Sequence, residues 1–152
     1  MTLRHAVATL AYRSAKALRG MPESAVNFRP TVDSRNCSEI LAHMGDLLDW
    51  VLTMANGKPA WKDSKPLDWD AEVCRYFEAL QAFDVRLSQD PPLGCDENKL
   101  FQGPIADALT HTGQIAMLRR IAGAPVKGEN YFVARIEEGS VGKEQPTPVR
   151  EF

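Results

Sequence analysis

The chain has 152 residues, of which 44% are hydrophobic and 25% are charged, and its formal net charge is −2. This length and composition predict one globular domain and exclude a disordered chain. The basic residues are scattered, without the stripe that nucleic-acid binding needs, and no apolar run has the length of a membrane-spanning helix. Arg4 and His5 interrupt the apolar residues at the N-terminus, unlike a signal peptide. We therefore expect a cytoplasmic protein with no nucleic-acid or membrane partner.

Four segments repeat apolar residues at intervals of three and four, which predicts four helices separated by loops with Gly and Pro. The second helix is expected to begin at Asp33 or Ser34, and the third at Asp68 or Asp70, because such side chains cap helix N-termini. Pro104 is expected at the first position of the fourth helix, where its missing amide costs nothing. The predicted helices cover residues 3–19, 33–57, 68–88 and 103–123.

The order of these segments predicts the fold class. No segment between them alternates polar and apolar residues as a strand does, so we expect an all-α protein, an antiparallel four-helix bundle. Residues 1–125 would form the bundle and residues 126–152 an irregular C-terminal tail. The apolar patch at residues 131–136 is expected to pack the tail on the bundle, as a short helix or an extended segment.

The three cysteines lie far apart in the sequence, which argues against a disulfide framework or a zinc motif. Cys37 and Cys74 fall in helical segments, where a free cysteine is usually a small buried side chain. Cys95 follows Pro91 and Pro92 in a loop and is the cysteine expected to be exposed.

A candidate site lies in the fourth predicted helix. Asp107, His111 and Gln114 are separated by four and three residues, so they share one face. The same line continues into Leu118 and Ile121, which predicts that it points at the interior of the bundle. Side chains four residues apart in a helix are roughly 6 Å apart, so Asp107 and His111 can bind one ion.

His43 offers a third ligand, from the edge of the apolar stripe of the second predicted helix. Metal sites in bundles are built in this way, from inward side chains on facing helices. Two imidazoles and one carboxylate leave coordination positions open for water or substrate. Gln114 and Thr110 would orient the ligands or a bound water, whereas Asp46 is expected on a solvated helix face.

Spacing alone leaves two other interpretations open. In one, the His and Asp side chains are a hydrogen-bonded core pair in a non-catalytic bundle that acts as a dimerisation or partner-binding module. In the other, a cavity lined by Trp50, Trp61 or Trp69 binds a small ligand without turnover.

Two sequence segments resemble the DinB-like superfamily of metal-binding four-helix bundles. The early one reads SEILAHM at residues 38–44 and LLDW at residues 47–50, and the late one reads DALTHTGQIAMLRR at residues 107–120, followed by GAP. Members of that family are commonly homodimers, with one histidine ligand on the second helix and a His-x-x-x-His pair on the last. The resemblance covers residues 1–125.

The resemblance implies a metal site made of His43, Asp107 and His111. Asp107 stands where the family has the first histidine of the pair, which makes the site harder and more negative but keeps three ligands. The implied cofactor is a divalent ion: zinc, nickel, iron or manganese. Some relatives are thiol-dependent transferases or isomerases, so the resemblance implies an enzyme that activates a water or a thiol, with a small-molecule or thiol substrate.

Overall fold

The computed structural model describes residues 2–152. Four long helices make up most of its regular structure, and no β-strand occurs in the described residues. This confirms the predicted all-α class. The helices are α1 (Leu3–Leu18), α2 (Cys37–Ala55), α3 (Trp69–Leu87) and α4 (Ala106–Ile121). Short helical turns lie at Glu23–Val26, Glu97–Leu100, Phe101–Ile105 and Tyr131–Val133.

The four helices enclose one hydrophobic core. α1 packs against α3 and α4, and α2 packs against the same two helices. The largest side chains without solvent contact come from all four helices and from the turns before α4, and burying them supplies most of the driving force for folding. They include Leu10, Leu41, Met44, Leu48, Tyr76, Leu80, Phe83, Leu100, Ile105 and Ile115. None of the helices in residues 2–152 is both long and apolar enough to cross a membrane.

The N-terminal cap of helix α2 is Asn36, three residues after Asp33 and two after Ser34, the two predicted caps. Asn36 caps it by accepting a hydrogen bond from the Glu39 amide at 2.9 Å, and the Glu39 carboxylate accepts one from the Asn36 amide at 3.0 Å. This reciprocal capping box satisfies two amides at once. Asp33 or Ser34 would satisfy only one, and neither is the cap.

The prediction for the start of the last helix was also wrong. Helical conformation begins at Glu97, after the cap Asp96, and continues without a loop into α4. Pro104 lies inside this segment, in a π-helical turn. The wider turn accommodates a residue that has no amide and whose ring would clash with a carbonyl in a regular helix.

Two further predictions about burial were wrong. Cys74 is exposed, because α3 buries the face that carries Tyr76, Leu80 and Phe83, and Cys74 lies away from that face. Ile121 is 57% exposed, because the buried face of α4 is not the predicted one. That face carries Ala108, Thr112, Ile115 and Arg119. It is displaced by one residue, about 100° around the helix, from the line of Asp107 and His111.

The C-terminal segment lies against α1. The buried Glu129 carboxylate accepts hydrogen bonds from the Tyr12 hydroxyl at 2.6 Å and from the Lys16 ammonium at 2.8 Å. Lys16 also pairs with Glu151 at 2.9 Å, so one ammonium holds both ends of the segment. Residues 131–133 form a single 3-10 turn, in which Phe132 is exposed.

Candidate metal centre

Three side chains that offer metal ligands meet between α2 and α4. His43 comes from α2, and Asp107 and His111 come from successive turns of α4. One ligand atom from each residue lies within 4.8 Å of the others. The spacing of four residues in α4 and the packing of α2 on α4 account for this convergence. The group could therefore hold one metal ion, and it is the three-residue set that the sequence singled out.

The distances within the group suit ligands around an ion better than hydrogen bonds. The Asp107 carboxylate is 3.5 Å from His111 Nε2 and 3.7 Å from His43 Nε2. Both distances exceed the roughly 2.7–3.2 Å of an N–H···O hydrogen bond. Two ligands at about 2.1 Å from a tetrahedral ion lie roughly 3.4 Å apart.

The group is open to solvent on one side. The Asp107 side chain is 47% exposed, against 21% for His43 and 13% for His111. The group is open because of how α4 is rotated about its axis. The line of Asp107 and His111 lies beside the buried face of the helix and not within it. The interior position predicted for Asp107 was therefore wrong, and its solvent-facing position leaves room for a further ligand.

Gln114 fixes the orientation of His111. Its side-chain oxygen Oε1 accepts a hydrogen bond from His111 Nδ1 at 2.7 Å. A hydrogen bond donated by Nδ1 leaves Nε2, which lies 3.5 Å from the Asp107 carboxylate, as the nitrogen available to a metal ion. The Thr110 hydroxyl instead donates to the Ala106 carbonyl of its own helix, so it does not orient a ligand.

The surroundings of His43 favour its neutral form. Burial lowers the pKa of His43, and the neighbouring His111 and the positive charge of Arg35 lower it further, against the opposing effect of Asp107. A neutral imidazole is the form that binds metal.

Two tryptophan side chains pack beside His43. The Trp61 ring lies edge to face with the His43 ring, at a centroid distance of 5.8 Å, and Trp50 packs on Trp61 at 5.6 Å. Trp69 lies elsewhere, next to Met21 and Val73. Trp50 and Trp61 are thus the tryptophans near the histidines, and the sequence could not have distinguished them from Trp69.

A buried network holds the loop that carries Trp61. Asp46 is 3% exposed, which contradicts the solvated position predicted for it. Its carboxylate accepts two hydrogen bonds from Ser64, both at 2.7 Å, and pairs with the Arg75 guanidinium. Arg75 also binds Glu72 at 2.8 Å and Asp49 at 3.0 Å.

Gly45 provides the space for this network. A Cβ atom at Gly45 would lie 2.8 Å from a guanidinium nitrogen of Arg75, so a larger residue here would displace the Arg75 side chain from its present position. The network connects α2 and α3 to the loop at Ser64, three residues after Trp61, and so anchors that loop.

Comparisons of the chain with protein-family models, with curated proteins and with solved structures find no match. Fold and site together define an all-helical protein with a His/Asp group that could hold a metal ion.

Proposed function

We propose that this protein is a metal-dependent enzyme whose divalent ion is held by His43, Asp107 and His111. The observation that supports this most directly is the set of distances around Asp107, which lies 3.5 Å and 3.7 Å from one ring nitrogen of each histidine. These separations suit three ligands of one ion, and three ligands leave a position free for a water or a substrate.

The helix arrangement is consistent with this proposal. A closed set of contacts, in which α1 and α2 each pack on α3 and α4, is what an antiparallel four-helix bundle requires. We propose that architecture, and with it membership of the DinB-like superfamily, on the residue pattern around His43 and His111. Asp107 remains a departure from the three histidines of that pattern.

The alternative, a non-catalytic bundle with a hydrogen-bonded His/Asp pair, has less support. A structural pair would bring the carboxylate within hydrogen-bond distance of an imidazole and bury it. Asp107 does neither, because it is 47% exposed and more than 3.2 Å from both rings. The polar cluster with the features of a structural network is the one around Asp46 and Arg75.

The chemistry of the three ligand atoms restricts which metal ions the site would bind. Two imidazole nitrogens and one carboxylate oxygen suit zinc, nickel, iron(II) and manganese, and they disfavour soft ions that prefer thiolates. When bound, such an ion lowers the pKa of a water or thiol at the open position and so provides a nucleophile at neutral pH. The chain itself supplies the orientation of His111 through Gln114, and the Trp61 ring packs edge to face against His43.

Metal analysis tests the site. The protein is purified without chelator, and its metal content is measured by mass spectrometry for the native chain and for His111→Ala. His5→Ala is a matched control, because His5 is the chain's remaining histidine and lies outside the group. We expect about one ion per native or His5→Ala chain and almost none for His111→Ala. Equal metal content in His111→Ala and the native protein would refute the site.

A second assay tests the proposed thiol chemistry. The metal-loaded protein is mixed with glutathione and monochlorobimane, and the fluorescence of the product is followed. The thiol sulfur bonds to the chloromethyl carbon, chloride leaves, and the thiol proton passes to solvent. A rate above that with His111→Ala supports thiol transfer. Metal binding without such a rate would refute thiol transfer to this reagent. Activation of water would then be tested by ester hydrolysis.

A homodimer is also proposed, on the resemblance alone. Light scattering of the purified protein gives its mass and decides between one chain and two.

A further inference from the structure

A cavity of about 500 Å³ adjoins the metal centre on the side of His111. It lies between the second half of α4, the start of α2 and the loop that precedes α2. His111 and Gln114 form its end at the metal centre, and Met117 and Ile121 line it further along α4. A cavity of this size holds a small molecule.

The lining of the cavity is mostly apolar. Ile40 and Leu118 are largely buried beneath it, whereas Met117 and Ile121 are each 57% exposed. Large apolar side chains grouped at a cavity are a sign of a binding site, because an apolar ligand removes them from water. From His111 to Ile121 the helix rises by about 15 Å, so the apolar part extends well away from the metal centre.

Arg35 is the charged side chain at this cavity, and no carboxylate lines it. Arg35 makes no ion pair within 4.0 Å in the part of the chain that the structure describes, whereas the neighbouring Arg29 is paired with Glu39. Arg35 also borders the adjoining cavity that contains His43 and Glu39, and its charge lowers the pKa of both side chains.

The loop that carries Arg35 is held in place. The Arg29 guanidinium donates to the Ser34 carbonyl at 2.5 Å, and the Thr31 and Ser34 hydroxyls are hydrogen-bonded at 2.7 Å. Arg35 is therefore presented by an ordered loop. An unpaired guanidinium beside an apolar surface suits a ligand with one anionic end and one apolar end.

We propose that this cavity binds an amphipathic monocarboxylate as the substrate or effector of the metal centre. Its carboxylate lies between Arg35 and His111, and its apolar chain covers Met117 and Ile121. The head-group end of this proposal rests on the proposed metal site, because a divalent ion with one aspartate leaves a net positive charge beside Arg35.

Binding of decanoate tests the proposal, with decanol and decyltrimethylammonium as probes of the same chain length. Affinities are measured by calorimetry for the metal-loaded native protein and for Arg35→Leu. Arg120→Leu is the matched control, because Arg120 is an exposed arginine of α4 outside the cavity. We expect Arg35→Leu to weaken decanoate about tenfold and to leave decanol unchanged. Met117→Gln is expected to weaken both.

Three results would overturn the proposal. The first is equal decanoate affinity in Arg35→Leu and the native protein, and the second is binding of decyltrimethylammonium to the native protein as tightly as decanoate. The third is a dimer that excludes decanoate and dissociates in Met117→Gln, since the cavity would then face a second copy.

The metal content of the same samples separates the ligand proposal from the metal-site proposal. Protein that holds one ion but shows no Arg35-dependent binding refutes the ligand only, whereas Arg35-dependent binding without an ion refutes the metal site only.

Discussion

The imidazole rings of His43 and His111 meet edge to face, with their centroids 4.8 Å apart and their planes at 89°. In this arrangement Oδ2 of Asp107 lies 3.7 Å from Nε2 of His43, and Oδ1 lies 3.5 Å from Nε2 of His111. One ring is oriented by Gln114 and the other is backed by Trp61. The two histidines therefore depend on different residues for their positions, and these supports can be removed separately.

Gln114→Leu should weaken metal binding without removing a ligand. The substitution leaves His111 Nδ1 without its acceptor, so the ring can rotate or take the other tautomer. We expect the affinity for zinc to fall by about 10–100-fold, measured by competition with a chromogenic chelator. Thr110→Val is the control, because the Thr110 hydroxyl bonds only within its own helix. Loss of affinity in both variants would mean that the helix, not the hydrogen bond, was disturbed.

The Asp46 network should contribute to stability at neutral pH. Asp46→Asn removes the charge that pairs with Arg75, and we expect the free energy of unfolding to fall by about 2–3 kcal/mol. Chemical denaturation at pH 7 measures this loss. Asp63→Asn is the control, at an exposed position of the loop that carries Ser64. It should change the free energy of unfolding by less than about 0.5 kcal/mol.

The same network predicts how stability depends on pH. Burial alone would raise the pKa of Asp46, but the hydrogen bonds from Ser64 and the pairing with Arg75 prevail and lower it. A carboxylate whose pKa is lower in the folded state stabilises the protein above its unfolded pKa, about 4. This contribution disappears as the pH falls through the folded value. The stability difference between the native protein and Asp46→Asn should therefore begin to shrink below about pH 4 and disappear below the folded pKa of Asp46. A constant difference across that range would contradict the assignment.

The convergence of the three candidate ligands could be predicted because the relevant information is local. Asp107 and His111 are one helical turn apart, and His43 borders a stripe of regular period, so helix geometry alone brings them near the contact between two helices. Asp46 could not be placed in the same way. Its partners Ser64 and Arg75 lie 18 and 29 residues away, in a loop and in another helix. Arg35 was missed because a lone basic residue in a loop carries no periodic signal.

The face of α4 was predicted incorrectly for a related reason. The line from Asp107 to Ile121 and the line through Ala108 and Ile115 are adjacent, and both contain enough apolar residues to form a core. Packing against α1 and α2 selected the line with the smaller side chains at its start. The prediction of Pro104 as the first helical residue failed because a π-helical turn leaves no mark in the sequence.

The three cysteines should differ in their reaction with a thiol reagent. Cys74 is exposed, Cys95 is half-buried and Cys37 is buried. Burial raises the pKa of Cys37 to about 11, so its thiolate is scarce at neutral pH as well as inaccessible. With iodoacetamide at pH 7.5, Cys74 should react first, Cys95 more slowly and Cys37 only after unfolding in guanidinium. Mass spectrometry of digested samples gives the order, and early labelling of Cys37 would contradict the packing between α2 and the core.

Glu129 should be the residue that attaches the C-terminal segment to α1. Its carboxylate is fully buried and binds both Tyr12 and Lys16, so Glu129→Gln removes a buried charge and leaves Lys16 paired with Glu151. We expect a loss of about 1–3 kcal/mol in the free energy of unfolding and faster cleavage of residues 126–152 by a protease. Glu144→Gln, at an exposed position of the same segment, is the control. If cleavage of the segment is equally slow in both variants, contacts other than Glu129 hold it, and the stacking of Arg13 on Tyr131 is the next to remove.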